Sequence, residues 1–183
     1  RQRFEQYRPF LEESGFELVP RPLLDNAYLQ TLYAGGRAAR GRIAARYLDR
    51  LRWLLSSPDV DLIWLQYELF PYLPGLTERL AGKPGKPIVF DFDDAIFHNY
   101  DRHRKREIRR FLGRKLHATI GGADMAFCGN AYLADYARPL CSRTEIVPTV
   151  LDTEVFRPCL SERPVGPLRI GWIGTPSTWN DYL

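Results

Sequence analysis

The chain has few of the residues that mark a secreted or metal-stapled protein. Its three cysteines, Cys128, Cys141 and Cys159, are spread over 183 residues without a CxxC pair. An odd, sparse set points to reduced thiols in a cytoplasmic compartment, and away from a disulfide framework or a zinc knuckle. No run reaches the roughly 18–20 uninterrupted apolar residues that a membrane-spanning helix requires. The first ten residues carry Arg1, Arg3, Glu5 and Arg8, so the apolar core of a signal peptide is missing there. There is no initiator Met, and the start reads as a fragment boundary. What is present is 45% hydrophobic, 26% charged and 13% aromatic residues, which excludes a collagen-like or wholly disordered chain. The length suits one ordinary domain and the beginning of a second.

A formal net charge of +4 conceals two strongly basic stretches. From Arg102 to Lys115 eight Lys/Arg stand against Glu107, and from Arg37 to Arg52 six Arg stand against Asp49. Such stripes attract phosphates, anionic lipid or nucleic acid, and they also arise as solvated faces of amphipathic helices. No zinc-finger, RNP or other reader motif accompanies them, so no nucleic-acid partner is expected. In the first stretch Ile108, Phe111, Leu112 and Leu116 form one apolar stripe, expected to dock on a sheet. The cations from Arg102 to His117 then point to solvent, where peripheral electrostatic contact with an anionic membrane is expected, without insertion.

Elsewhere two periods alternate. Residues 1–14 read as a helix, with Phe4, Tyr7, Phe10 and Leu11 on one face and Gly15 at its end. Phe16 to Val19 reads as a short strand stopped by Pro20 and Pro22. Ala44, Tyr47, Leu48, Leu51, Leu54 and Leu55 trace a long helix ended by Ser57-Pro58. Val60 to Leu65 (VDLIWL) has the near-continuous apolar character of a buried parallel strand. A helix is predicted over Leu73 to Ala81, and a strand over Pro87 to Phe90. Met125 to Cys128 is the next strand, Ala131 to Ala137 the next helix with Asn130 as N-cap, and Thr144 to Val147 the last strand. Repeated strand–helix–strand order predicts an α/β fold: a doubly wound, Rossmann-like parallel sheet with helices on both faces. Ligands in such folds bind at the carboxyl edge. Residues 1–156 form this domain, and the proline-rich 157–167 reads as a linker. Residues 168–183 begin a second domain. There Leu168 to Ile173 reads as a strand, and the Gly174-Thr175-Pro176-Ser177-Thr178 loop offers backbone N–H groups suited to phosphate.

The acidic run Asp91-Phe92-Asp93-Asp94 carries the most chemistry. Three carboxylates within four residues raise one another's pKa unless a cation, a hydroxyl or N–H groups compensate. Extended backbone sends Asp91 and Asp93 to one side and Asp94 to the other. Loop-capping by turn residues is the bland explanation. IVFDFDDAIF also resembles the opening strand of haloacid-dehalogenase-like phosphatases. That resemblance implies Asp91 as nucleophile and Asp93 as acid/base, with magnesium between them. Ala95 departs from it, and no later lysine or acidic pair completes the metal site.

A longer resemblance runs in order through nearly the whole chain. RQRFEQYRPFLEESGFELVPRPLL, VDLIWLQYELFPYLPGLTERL, KPIVFDFDDAIF, MAFCGNAYLADYA, EIVPTVLDTEVFRP and PLRIGWIGTPSTWNDYL resemble successive segments of GT-B glycosyltransferases near family 4 (glycosyl transferases group 1). Relatives often read Arg where this chain has Tyr67. The resemblance implies an acceptor-side domain, truncated at both ends, with the family's Gly-rich loop before Arg1 and its donor-site basic residues and Glu…Glu pair after Leu183. As the full-length protein it implies a retaining transferase moving a sugar from a nucleotide-sugar to a glycan, lipid-linked or small-molecule acceptor; the fragment alone is expected to be inactive.

No further cofactor and no metal is implied. Many relatives place a His-Asp pair where this chain has Asp93 and Asp94, which are the candidate catalytic residues. Candidate substrate-binding residues are Glu68, Asp91, Asn130, Gly171, Gly174 and Thr175. His98, just past the acidic run, is within reach of the same edge. A non-catalytic carbohydrate- or partner-binding domain of the same fold is the alternative. The expected location is cytoplasmic, peripheral on the inner face of the membrane.

Overall fold

The computed structural model describes residues 2–36, 40–56, 59–81, 85–158, 166–167 and 171. The chain divides into two compact units, Arg1–Val150 and Leu151–Leu183. In the second, the N–H groups of Val155 and Phe156 close a turn on the Asp152 carbonyl, and Arg157 pairs with Glu154. The strand and loop expected over 168–178, Gly174 and Thr175 included, lie outside the described residues, save that Gly171 is exposed.

The first unit is built on a sheet. Among the described residues four strands pair in parallel in the order β1 (Ile63–Gln66), β2 (Ile88–Phe92), β3 (Met125–Cys128), β4 (Thr144–Ile146). Leu65 lies opposite Phe90 and Phe90 opposite Ala126, so period-2 alternation gathers Ile63, Leu65, Ile88, Phe90, Phe92, Ala126 and Cys128 on one face. Leu116 and Ile120 of α8 (Lys115–Ile120), and Leu133, Ala134 and Ala137 of α9 (Ala131–Ala137), complete that core. Strand order follows chain order, so successive right-handed crossovers lay their helices on this same side. A doubly wound sheet reverses direction once, and no reversal falls among the described residues. What the structure shows is therefore a parallel α/β sheet wound one way.

The opposite face carries Trp64, Val89, Asp91 and Phe127, and it is met by α1 (Gln2–Glu5). Phe4 lies edge-on to Trp64 at 4.6 Å, and Trp64 edge-on to Phe127 at 5.9 Å. The helix expected over 1–14 is two helices, α1 and α2 (Arg8–Glu13), because Pro9 has no N–H to bond the Glu5 carbonyl. Gly15, at φ +86°, ends α2 as expected. Phe16 to Val19 is not a strand. Its backbone joins no ladder, and both end residues are exposed.

After α3 (Asn26–Tyr33) comes α4 (Arg40–Leu55), whose Tyr47, Leu51, Trp53 and Leu54 touch the core while Leu48 and Leu55 are exposed. α5 (Gly75–Ala81) follows β1 and packs on α8. Between β2 and β3 run α6 (His98–Asp101), α7 (Arg106–Leu112) and α8. The single basic helix of the sequence reading is thus broken. Arg114 leaves helical geometry at φ −111°, ψ 21°, between α7 and α8. Leu112 and Leu116 are buried and Ile108 half-buried as expected, but Phe111 is 74% exposed, and Lys115, expected in solvent, is buried. No helix among the described residues is long and apolar enough to cross a membrane.

Candidate functional site

The carboxyl edge of the sheet gathers four chain exits. After β1 the chain turns at Tyr67, whose φ of +64° is costly for a bulky side chain and whose N–H donates to the Asp91 carbonyl at 3.0 Å. After β2 come Asp93 and Asp94. After β3, Gly129 donates its N–H to the Phe92 carbonyl, and Asn130 accepts the Leu133 N–H at 3.0 Å, capping α9 as expected. After β4 the chain extends to Thr149.

A side chain from each of three exits meets at Asp93. The Tyr67 phenol donates to one Asp93 oxygen and, at 3.3 Å, to Asp94, while the Thr149 hydroxyl donates to the other Asp93 oxygen at 2.9 Å. Burial acts to raise the Asp93 pKa. The two hydroxyl donors and the charge of Arg3 outweigh it and hold the carboxyl below its usual range. Burial first, then the adjacent carboxylates, push the Tyr67 phenol well above its usual pKa, so it stays a proton-bearing donor. Asp94 is exposed beside them. The result is two adjacent carboxyl groups, Asp93 held ionised and Asp94 exposed, at the edge where open α/β sheets bind ligands.

Asp91 lies beneath this pair and is not a substrate contact. It is 0% exposed. Arg3 donates to it through Nη2 at 2.7 Å and Nε at 3.1 Å, and the Trp64 indole donates to its second oxygen at 3.1 Å. Arg3 Nη1 also donates to Thr149 at 2.9 Å, so the guanidinium ties the buried acid to the hydroxyl that holds Asp93. The phosphatase reading requires Asp91 as a nucleophile. A sealed carboxylate with both oxygens engaged does not serve as one.

Glu68 is likewise turned inward, away from the open edge. Its carboxylate accepts from Lys115 Nζ at 3.1 Å and from the Tyr100 hydroxyl at 2.9 Å. The same ammonium meets Glu78 at 3.1 Å and the Phe70 carbonyl at 2.6 Å, so its three protons have three acceptors. Thr119 donates to Glu78 as well. Burial raises the Glu68 pKa, with Lys115 and Tyr100 opposing. This cluster fastens the loop that follows Tyr67. His98 bonds Asp101 through Nδ1 and the Tyr132 hydroxyl through Nε2, each at 2.8 Å, away from the acidic pair's own contacts.

Of the residues expected in the site, the structure brings Asp93 and Asp94 together at the edge, with Asn130 capping the neighbouring helix and Asp91 and Glu68 turned inward. It adds Tyr67, Thr149 and Arg3. Among the described residues no three His, Cys, Asp or Glu side chains are grouped to hold a metal ion. No family model, no curated protein and no solved structure matches this chain.

The edge tolerates little change at Gly129. A Cβ there falls 2.8 Å from the Asp93 Cα, a backbone atom that cannot swing aside. Gly129→Ala is therefore expected to cost about 1–3 kcal/mol, the range for overpacking. Urea unfolding measures it, and a cost near zero contradicts the close approach.

Proposed function

We propose that this chain is the acceptor-side domain of a retaining glycosyltransferase of the two-domain GT-B kind, moving a sugar from a nucleotide-sugar to a hydroxyl-bearing acceptor. One observation carries the reading: Asp93 and Asp94 stand at the carboxyl edge of a parallel sheet, with Asp93 held ionised by Tyr67, Thr149 and Arg3. Ionised carboxylates accept hydrogen bonds from sugar hydroxyls. A carboxyl below its usual pKa is a weak proton acceptor near neutrality, so its role here is to orient a hydroxyl and not to take its proton. Holding a reacting group in line is itself worth orders of magnitude in rate. The nucleotide-sugar is the co-substrate, and its diphosphate belongs to the second domain this reading requires.

The test is transfer from a panel of labelled nucleotide-sugars by the protein together with that second domain. Asp93→Asn and Asp94→Asn are expected to lower kcat/KM on the order of 10- to 100-fold while both variants remain folded at the assay temperature. Wild-type rates in both variants sink the assignment. Glycan binding without transfer makes the chain a non-catalytic carbohydrate-binding domain.

A further inference from the structure

His98 and Tyr132 stand on neighbouring exits of the carboxyl edge. His98 opens α6 after β2, and Tyr132 lies in the first turn of α9 after β3. Buried Phe97 fixes both, stacking on Tyr136 at 3.8 Å and lying edge-on to the His98 ring at 4.4 Å. Tyr132 and Tyr136 are four residues apart on α9 and share one face of it. Asp101, at the other end of α6, meets Nδ1 of the imidazole at 2.8 Å, and the Tyr132 hydroxyl meets Nε2 at 2.8 Å. A carboxylate accepts and does not donate, so it draws the ring proton of a neutral imidazole to Nδ1. Nε2 is then a lone pair, and the Tyr132 hydroxyl donates to it. Carboxylate, imidazole and hydroxyl in that order align an acid, a base and a nucleophile. Tyr136 is no rival, because burial first, then the Asp101 charge, pushes its phenol up to about 12. Tyr132 is 56% exposed and stands open to an incoming electrophile.

We infer that Asp101, His98 and Tyr132 form a relay that makes the Tyr132 phenol an acceptor for activated acyl groups, the class of aryl esters and acyl phosphates. In the step, Tyr132 Oη bonds the acyl carbon as the bond from that carbon to the leaving oxygen breaks. The phenolic proton passes to His98 Nε2, and from there to the departing oxygen or to solvent. Asp101 stays ionised and stabilises the imidazolium while it lasts. No oxidant or further reactant is needed, and the product is an acyl ester of Tyr132. The same chain holds a comparison for it. Tyr72 is 59% exposed and is fixed by its N–H on the Tyr100 hydroxyl, but its own hydroxyl meets no imidazole among the described residues. Two phenols of equal exposure thus differ in having a base. None of this rests on the proposed transfer reaction.

Incubating the full chain with p-nitrophenyl acetate and mapping the acetylated peptides by mass spectrometry tests it. Tyr132 is expected to take up acetyl about 100-fold faster than Tyr72, the lower end of what a positioned general base contributes. His98→Gln should bring Tyr132 down to the Tyr72 rate. Asp101→Asn should do the same, because an amide can donate to Nδ1 and leave Nε2 carrying the proton. Tyr132→Phe should remove this site and leave the labelling of Tyr72 unchanged. Equal rates at Tyr132 and Tyr72 in the wild type overturn the proposal, and that comparison needs no variant to fold. Undiminished labelling of Tyr132 in His98→Gln also overturns it, as does acetyl confined to lysines.

Discussion

Replacing Lys115 with Met is expected to cost the fold about 3–5 kcal/mol, the range for removing one partner from a buried ion pair. Met keeps the length of the stem, so the loss isolates the ammonium. Without it, Glu68 and Glu78 face each other in a buried pocket, and the Phe70 carbonyl loses a 2.6 Å donor. Urea unfolding should show a lower midpoint at constant slope. Adding Glu78→Gln should recover part of the deficit, because one of the two stranded charges is then gone. A loss below about 1 kcal/mol, typical of a surface pair, contradicts a buried role for Lys115.

Arg3→Met is expected to cost a similar 3–5 kcal/mol at neutral pH, since it strands Asp91, buried on the face of the sheet that α1 covers. Here pH supplies a second readout. Burial, the largest influence, already raises the Asp91 pKa against the pull of Arg3 and Trp64, and losing Arg3 lets it climb further. A group whose pKa is raised by folding is least costly below its unfolded value, and it withdraws stability as pH rises through the folded one. The variant should therefore approach wild-type stability near pH 4, about where free Asp titrates, and fall behind it towards pH 7. A deficit that does not change with pH contradicts the pairing. Asp91→Asn in the Arg3→Met background should narrow the gap at neutrality.

The strands were legible because their signal is local. VDLIWL, PIVF and MAFC each carry enough apolar character to specify a buried strand, and the acidic run falls at the end of its strand as read. Asn130 was legible for the same reason, as an N-cap three residues from its donor. What the sequence hid are pairings that span the chain. Arg3 lies 88 residues from Asp91, and Lys115 lies 47 from Glu68. Nothing near either cation distinguishes it from its solvated neighbours.

Phe111 misled through periodicity. Within α7 it lies about 100° round the helix from Leu112, and with Ile108 and Leu112 turned inward it falls on the exposed flank. Tyr67 left a trace, as a departure from the residue its supposed relatives carry, but its left-handed backbone and its reach to Asp93 are properties of the folded edge. Phe16 to Val19 had strand composition without a neighbour to pair with, which composition alone does not reveal.

The bond between Arg3 and Asp91 also sets a timetable. A ribosome delivers Arg3 first and Asp91 88 residues later, with Thr149 following Arg3 by 146. At synthesis rates of roughly 5–20 residues per second, about 4–18 s separate Arg3 from Asp91. Through that interval α1 has no paired sheet to close on, and Phe4 and Trp64 emerge before the strand that carries Asp91. The segment around Arg3 thus waits for partners made well after it, and the nascent chain carries an unclaimed guanidinium and an uncovered indole until the sheet has formed.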